Sequence, residues 1–208
     1  MEKYTLKYFC TLFQRQIIGC YFHWSQCVYR RIQSEGLGED YIHNRTTRRI
    51  LQEVIQLPYL PSSDIRTTFL DIKDDLENTE EPCQKDDIRD VLEYVESQWI
   101  SGRQWGPAKW SVFRLSVRTN NDTEGWHNGL NIIGPAPSLY RLVELLHTKA
   151  HDADLEGRMV AAGKSVRRER LQSRTEQDEL QRLWDLYEQG RLSPRMLLRE
   201  IVKMKNSR

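Results

Sequence analysis

A mainly α-helical fold is what three features of this 208-residue sequence predict. Apolar residues recur at spacings of three and four wherever a period can be read. Sustained polar–apolar alternation, which would mark half-buried strands, is almost absent. Hydrophobic residues make up 38%, charged residues 29% and aromatic residues 10%, a balance that suits a globular chain rather than a disordered one.

Each element follows from its local pattern. Residues 2–13 read as a helix, and 16–19 as a short buried strand or turn leading into a helix over 23–34. That helix carries Trp24, Cys27, Val28 and Ile32 on one face, and Gly36 and Gly38 mark its end. A helix over 46–56 presents Ile50, Leu51, Val54 and Ile55 and closes at Pro58. Ser62 or Ser63 is placed to cap the next, through Ile65, Phe69 and Ile72. After a loop over 78–82, Ile88, Val91, Leu92, Val95 and Trp99 form the buried stripe of a further helix. A long helix starts with Leu139, Leu142, Val143 and Leu146. The runs Leu180-Leu183-Trp184-Tyr187 and Met196-Leu197-Ile201-Met204, broken at Gly190 and Pro194, read as a helical hairpin.

The formal net charge is +1, which excludes a uniformly basic coating protein but averages unlike segments. Residues 71–96 hold eleven acids against three bases. Residues 101–118 carry Arg103, Lys109, Arg114 and Arg118 with no acid, interleaved with Trp105 and Trp110, and a second basic cluster contains Arg167 and Arg168. Cations beside aromatic rings are what a DNA surface uses, the charges meeting phosphates and the rings stacking on bases. The competing expectation is that both tryptophans anchor the core. No apolar run is long enough to span a bilayer, and Lys7, Gln14 and Arg15 interrupt any secretory leader, so a soluble nuclear or cytoplasmic protein is expected, not a secreted one. Cys10, Cys20, Cys27 and Cys83 are then free thiols, and the sequons at Asn44 and Asn121 carry no chemistry.

Two constellations have the residue types of a site. If a helix begins near Asn121, Glu124, Asn128 and Asn131 share a face, so that one carboxylate framed by amides could take a hard metal ion. The same spacing also makes Asn121-x-x-Glu124 a capping box. Cys20-x-x-His23 and the pair His147 and His151, four apart, have spacings that suit zinc, although a structural site needs all four ligands together. Phosphate-binding Gly-rich loops, G-x-S-x-G and C-x-x-C are all absent.

Taken in order, Gly19-Cys20-Tyr21-Phe22-His23-Trp24-Ser25-Gln26, Tyr29-Arg30, Gly36-Leu37, Leu57-Pro58-Tyr59-Leu60-Pro61, Tyr94, Trp99-Ile100 and Thr119-Asn120-Asn121-x-x-Glu124-Gly125-Trp126-His127 resemble the latter part of the catalytic domain of Mutator-like element (MULE) transposases. The resemblance implies an RNase H-like core in which an Asp-Asp-Glu triad holds two metal ions, Mg²⁺ in the parent family, with a helical insertion before the Glu. Glu124 matches that Glu, and Cys20 and His23 match a Cys-x-x-His motif that follows the second Asp. The fold expected is then the helical insertion and final catalytic helix of such a core, with most of its β-sheet missing: residues 1–134 form the partial catalytic domain and 135–208 a C-terminal helical region.

The second Asp would fall just before the Phe-Glu pair that Met1-Glu2 replace, and the first still further upstream. Glu124 alone cannot hold two ions. The expectation is therefore a transposase-derived chain that contacts DNA without cutting it, whose apolar helix faces, robbed of their sheet, require a protein partner, an oligomer or a rearranged bundle. The alternative is a helical protein-interaction module, zinc-stabilised through Cys20, His23, His147 and His151, that uses the acidic segment or the C-terminal hairpin.

Overall fold

The computed structural model describes residues 19–102, 105–119, 125, 128, 129, 134, 137–162 and 171–207; the expected helix over 2–13 and the turn at 16–18 lie outside them. It is helical, with no strand among the described residues. The helices are α1 (Tyr21–Ser34), α2 (Gly38–His43), α3 (Arg45–Ile55), α4 (Ser62–Asn78), α5 (Lys85–Val95), α6 (Leu139–Ala161), α7 (Leu171–Glu188) and α8 (Pro194–Asn206).

Chain contacts divide the molecule into two compact units, Met1–Thr119 with Glu179–Arg208, and Asn120–Asp178. This partition differs from the sequence-based division at 134/135, because the C-terminal hairpin returns to the first unit: Leu180, Leu183, Trp184, Leu197, Leu198 and Ile201 are all buried in its core. Every buried apolar side chain among the described residues belongs to that unit.

At its centre lies α3, which packs against α1, α2, α4 and α8. Neighbours on so many sides explain why Thr46, Thr47, Ile50, Leu51, Glu53, Val54 and Ile55 are all buried, a far wider face than an amphipathic surface helix presents. The Asn44 side chain caps α3, accepting from the Thr46 and Thr47 amides at 3.0 and 3.1 Å, and its own amide donates to the Pro82 carbonyl. The sequon residue is thus a structural cap.

Helix α1 ends as its glycine predicts. Gly36 takes φ +76°, which Cβ-bearing residues rarely adopt, and the Leu37 amide reaches back to the Ile32 carbonyl at 3.1 Å. Leu37 is thereby driven into the core. Gly38 opens α2 instead of closing α1. Pro61, not Ser62 or Ser63, occupies the N-cap of α4; Ser62 is already helical and the Ser63 hydroxyl turns to Asp64. Beyond α5, residues Glu96–Ile100 widen into a π turn, with the Ser101 amide bonded to the Glu96 carbonyl at 2.8 Å. The extra residue rotates the stripe, so Ile100 is buried while Trp99 is only half-buried. In α8 the inward residues are Leu197, Leu198 and Ile201, and Met196 faces out.

In the second unit α6 begins where Leu139 predicts, yet Leu139, Val143 and Leu146 are exposed, as is Tyr140. Among the described residues no helix is long and apolar enough to cross a membrane.

Candidate nucleic-acid interface

Segments that are far apart in the sequence converge on the aromatic end of α1. Gly19 donates to the Lys109 carbonyl at 2.5 Å, and the Tyr21 amide donates to the Arg118 carbonyl at 2.9 Å. A Cβ on Gly19 would sit 3.0 Å from the Trp110 Cβ, so the close approach depends on glycine. Trp24 stacks on Trp110 with centroids 4.4 Å apart, meets Trp99 edge-on at 5.1 Å, and donates its indole proton to the Ile55 carbonyl at 2.9 Å. Trp110 in turn donates to the Trp99 and Trp105 carbonyls. Buried indoles need such partners, and aromatic pairs of this geometry are each worth about 0.5–1.5 kcal/mol beyond the area they bury.

The Leu57–Tyr59 turn is the second half of this node. Pro58 accepts from the Val112 amide at 2.7 Å, Tyr59 from the Trp184 indole at 3.0 Å, and Leu60 from the Ser111 hydroxyl at 2.7 Å. Tyr21 lies edge-on to Tyr59 at 4.8 Å and donates its hydroxyl to Gln56 at 2.9 Å. Burial, with the neighbouring Tyr59 adding to it, pushes the Tyr21 phenol well above its ordinary range and keeps it a donor.

Of the basic residues expected to meet DNA, Arg103, Arg167 and Arg168 lie outside the described residues. Lys109 is exposed on the short turn Pro107–Lys109, on the same segment as Trp105, which is 38% exposed. The two tryptophans of that stretch therefore part company: Trp110 is core and Trp105 is surface. Arg118 is half-buried and bonds the Leu115 carbonyl. Arg114 sits at φ 61°, a left-handed conformation costly for a side chain of its kind, and its guanidinium binds Asp185 and Glu188 of α7. Its role in the structure is to tie this segment to the C-terminal hairpin.

Glu124 also lies outside the described residues. Cys20 forms the N-cap of α1, with its carbonyl accepting from Trp24 at 3.1 Å, and His23 is exposed with its ring against Phe22. His147 and His151 are exposed on α6, in the other unit. Among the described residues no group of three or more His, Cys, Asp or Glu could hold a metal ion.

Sequence reasoning missed a charge cluster inside the first unit. Glu53, 1% exposed, accepts from Arg195 and Arg199, both at 3.0 Å, and Arg49 lies 3.8 Å away. Asp75 takes Arg49 and Arg195 as well, the latter at 2.6 Å. Burial alone would raise the Asp75 carboxyl, but hydrogen bonds from the two arginines outweigh it and hold it below the usual carboxylate range. The signal was present in the sequence: an ionisable Glu53 within the apolar stripe of Ile50, Leu51, Val54 and Ile55 demands cations, and Arg195 and Arg199 stand four apart on the last helix.

Comparison with protein-family models, with curated proteins and with solved structures finds no match to this chain.

Proposed function

We propose that this chain is a DNA-binding protein derived from a MULE transposase: the helical insertion of the catalytic domain, leading towards its Glu-bearing helix. The observation that carries the reading is the convergence at the α1 aromatic node. The segments that bear the resemblance are separated by up to about ninety residues, yet Tyr21, Trp24, Leu57–Tyr59 and Trp99 pack in one core, and the Tyr21 amide bonds the carbonyl of Arg118, the residue just before the last of those segments. Residues that pack together explain why a motif would need all of them, and the packing supports treating the scattered motif as one unit.

Binding rather than cleavage is the activity assigned to these 208 residues, because Glu124 is the single acid in them that matches the triad and two-metal phosphoryl transfer needs several carboxylates. The cations assigned to DNA are Arg103, Lys109, Arg118, Arg167 and Arg168, with Arg114 held back by Asp185 and Glu188. Mg²⁺ belongs to the parent chemistry, and zinc at Cys20 and His23 would need ligands beyond these two. The interaction-module reading is weaker: the hairpin's apolar face is spent in the core, and Asp75, Glu77, Asp86 and Glu96 of the acidic segment pair internally with Arg49, Arg89 and Lys73.

Salt-titrated binding to a duplex tests the proposal. Affinity should fall steeply with salt, and Arg167→Ala with Arg168→Ala should reduce the log–log slope by about two units while Arg114→Ala leaves it unchanged. Absence of binding at low salt would overturn DNA recognition. Metal-dependent nicking of plasmid DNA, abolished by Glu124→Gln, would overturn binding without cleavage.

A further inference from the structure

An open cleft of about 390 Å³ lies on the outer face of α1, lined by Ser25, Gln26, Tyr29, Arg30 and Gln33 of that helix, Tyr41 of α2 and Ile55 of α3. Its volume is at the lower end of the roughly 300–1,000 Å³ of small-ligand pockets. Ile55 and Tyr41 at the floor of the cleft belong to or pack on the core, but its α1 wall does not close it: Tyr29 and Arg30 are exposed, and the inward side of α1 is already formed by Trp24, Val28 and Ile32.

The chemistry of the lining selects among ligands. Tyr29 and Tyr41 meet edge-on with centroids 5.7 Å apart, leaving the Tyr29 ring 41% exposed. Gln26 and Gln33 bring amides that both donate and accept. Ser25 donates its proton to the Phe22 carbonyl at 2.9 Å and so offers the cleft its lone pairs. No acid is among the lining residues described. Glu39 and Asp40 precede Tyr41 on α2, and Glu39 faces His43 at 3.4 Å. Arg30 has no ion-pair partner among the described residues, and a second cation stands close by, since the Arg48 guanidinium bonds the Tyr41 carbonyl at 3.0 Å. A cation ligand is disfavoured by the charges, and an aliphatic one by the amides. A flat ring with polar edges and a negative charge satisfies every group present.

We infer that this cleft binds an unpaired nucleotide of single-stranded DNA: the base lies against Tyr29, its edge meets Gln26 or Gln33, and its phosphate is held by Arg30. Stacking on an exposed tyrosine accepts any base, and the glutamine amides match the donor–acceptor pair on an adenine edge, which makes adenine the favoured base. The inference rests on the DNA-binding reading, and it assigns to the cleft a distinct form of DNA.

The test uses the full chain and three probes: a fluorescein-labelled 12-nucleotide single strand, the duplex of the same sequence, and dAMP. Tyr29→Ala should weaken single-strand binding about tenfold or more, as expected for loss of a stacked base. Arg30→Gln should lower the single-strand salt slope by about 0.7. Both should leave duplex affinity unchanged. A single strand carrying 5-iododeoxyuridine, irradiated on the wild-type protein, should crosslink within the peptide 25–33, a readout independent of any variant's folding. Unchanged single-strand binding in both variants, or a crosslink elsewhere, would overturn the cleft; duplex binding that persists in that case leaves the DNA reading standing. Tyr29-dependent binding of dAMP with no binding of the single strand would overturn DNA as the source and assign the cleft to a free nucleotide.

Discussion

Replacing Glu53 by glutamine keeps the shape of the side chain and removes the charge on which two guanidinium groups converge. Glu53 is 1% exposed and accepts from Arg195 and Arg199 at 3.0 Å each. Glutamine offers one acceptor where the carboxylate offered two, so one arginine loses its partner and faces an N–H group instead. Removing one member of a buried ion pair costs about 3–5 kcal/mol, and a single hydrogen bond to a charged group about 1.5–3 kcal/mol. The lower figures apply, because the Arg199 side chain is 46% exposed and turns to water, while Arg195 keeps Asp75. The expected loss is about 2–3 kcal/mol. With a urea dependence of about 2 kcal/mol per molar, the midpoint falls by about 1–1.5 M. Tryptophan fluorescence reads the transition well, because Trp24, Trp99, Trp105, Trp110 and Trp184 all belong to the first unit. Glu200→Gln, which touches the exposed pair with Lys203, is the control and should stay within about 0.5 kcal/mol. A midpoint shift below about 0.3 M for Glu53→Gln at unchanged slope would refute the view that this cluster holds α8 against α3 and α4.

Three further outcomes follow from the same geometry. Asp75 has a folded pKa below its unfolded value, so its contribution is complete above about pH 4 and lost as pH falls through the lowered value; Asp75→Asn should flatten the acid limb of a melting-temperature profile, and an unaltered limb would contradict the pairing with Arg49 and Arg195. The Tyr187 phenol is pushed up to about 12 by burial and by its hydrogen bond to Asp64, so its contribution is intact below pH 10 and disappears towards pH 12. The urea midpoint of Tyr187→Phe should fall less over that interval than that of the native chain, the remaining fall coming from Tyr21 and Tyr41. Gly19→Ala places a Cβ 3.0 Å from Trp110 Cβ and 3.3 Å from the Lys109 carbonyl, both fixed by backbone, and should cost about 1–3 kcal/mol in urea unfolding with a red-shifted emission from Trp110.

Local rules made most of the helices legible, and they failed where a distant partner set the outcome. Gly36 and Gly190 stop their helices at φ +76° and +72°, because the sign of φ is a property of the residue itself. The π turn after α5 is not encoded by spacing; it exists because Ile100 goes inward while the Trp99 carbonyl receives Trp110, a contact eleven residues away. Met196 and Leu198 exchange roles because α8 rolls to bring Arg195 and Arg199 onto Glu53, 142 and 146 residues distant in the chain. The apolar sides of α1, α3 and α4, expected to lie exposed on helices deprived of a sheet, meet one another and α8, leaving only Phe22, Tyr29 and Leu70 as exposed large apolar residues on these helices among the described residues. An exposed apolar face persists at the start of α6. For the site, periodicity pointed to Trp24 but not to the cleft, because a pocket requires two helices at a fixed angle and one sequence period describes one helix.

The segment Gly19 to Arg30 separates by physics into two halves. Gly19, Tyr21, Trp24 and Val28 are accounted for by packing: a close backbone approach, a hydroxyl on Gln56, an indole on the Ile55 carbonyl, and a filled core. Ser25, Gln26, Tyr29 and Arg30 are not part of the buried core, and all four line the open cleft. A solvated helix face needs only polarity, and glutamate or lysine would supply it with better helix propensity than serine or tyrosine. The exposed Tyr29 ring and the Arg30 guanidinium, which has no ion-pair partner among the described residues, together present a stacking face and a positive charge on one helix face. An unpaired nucleotide uses both groups at once, its base stacking on the ring and its phosphate meeting the charge.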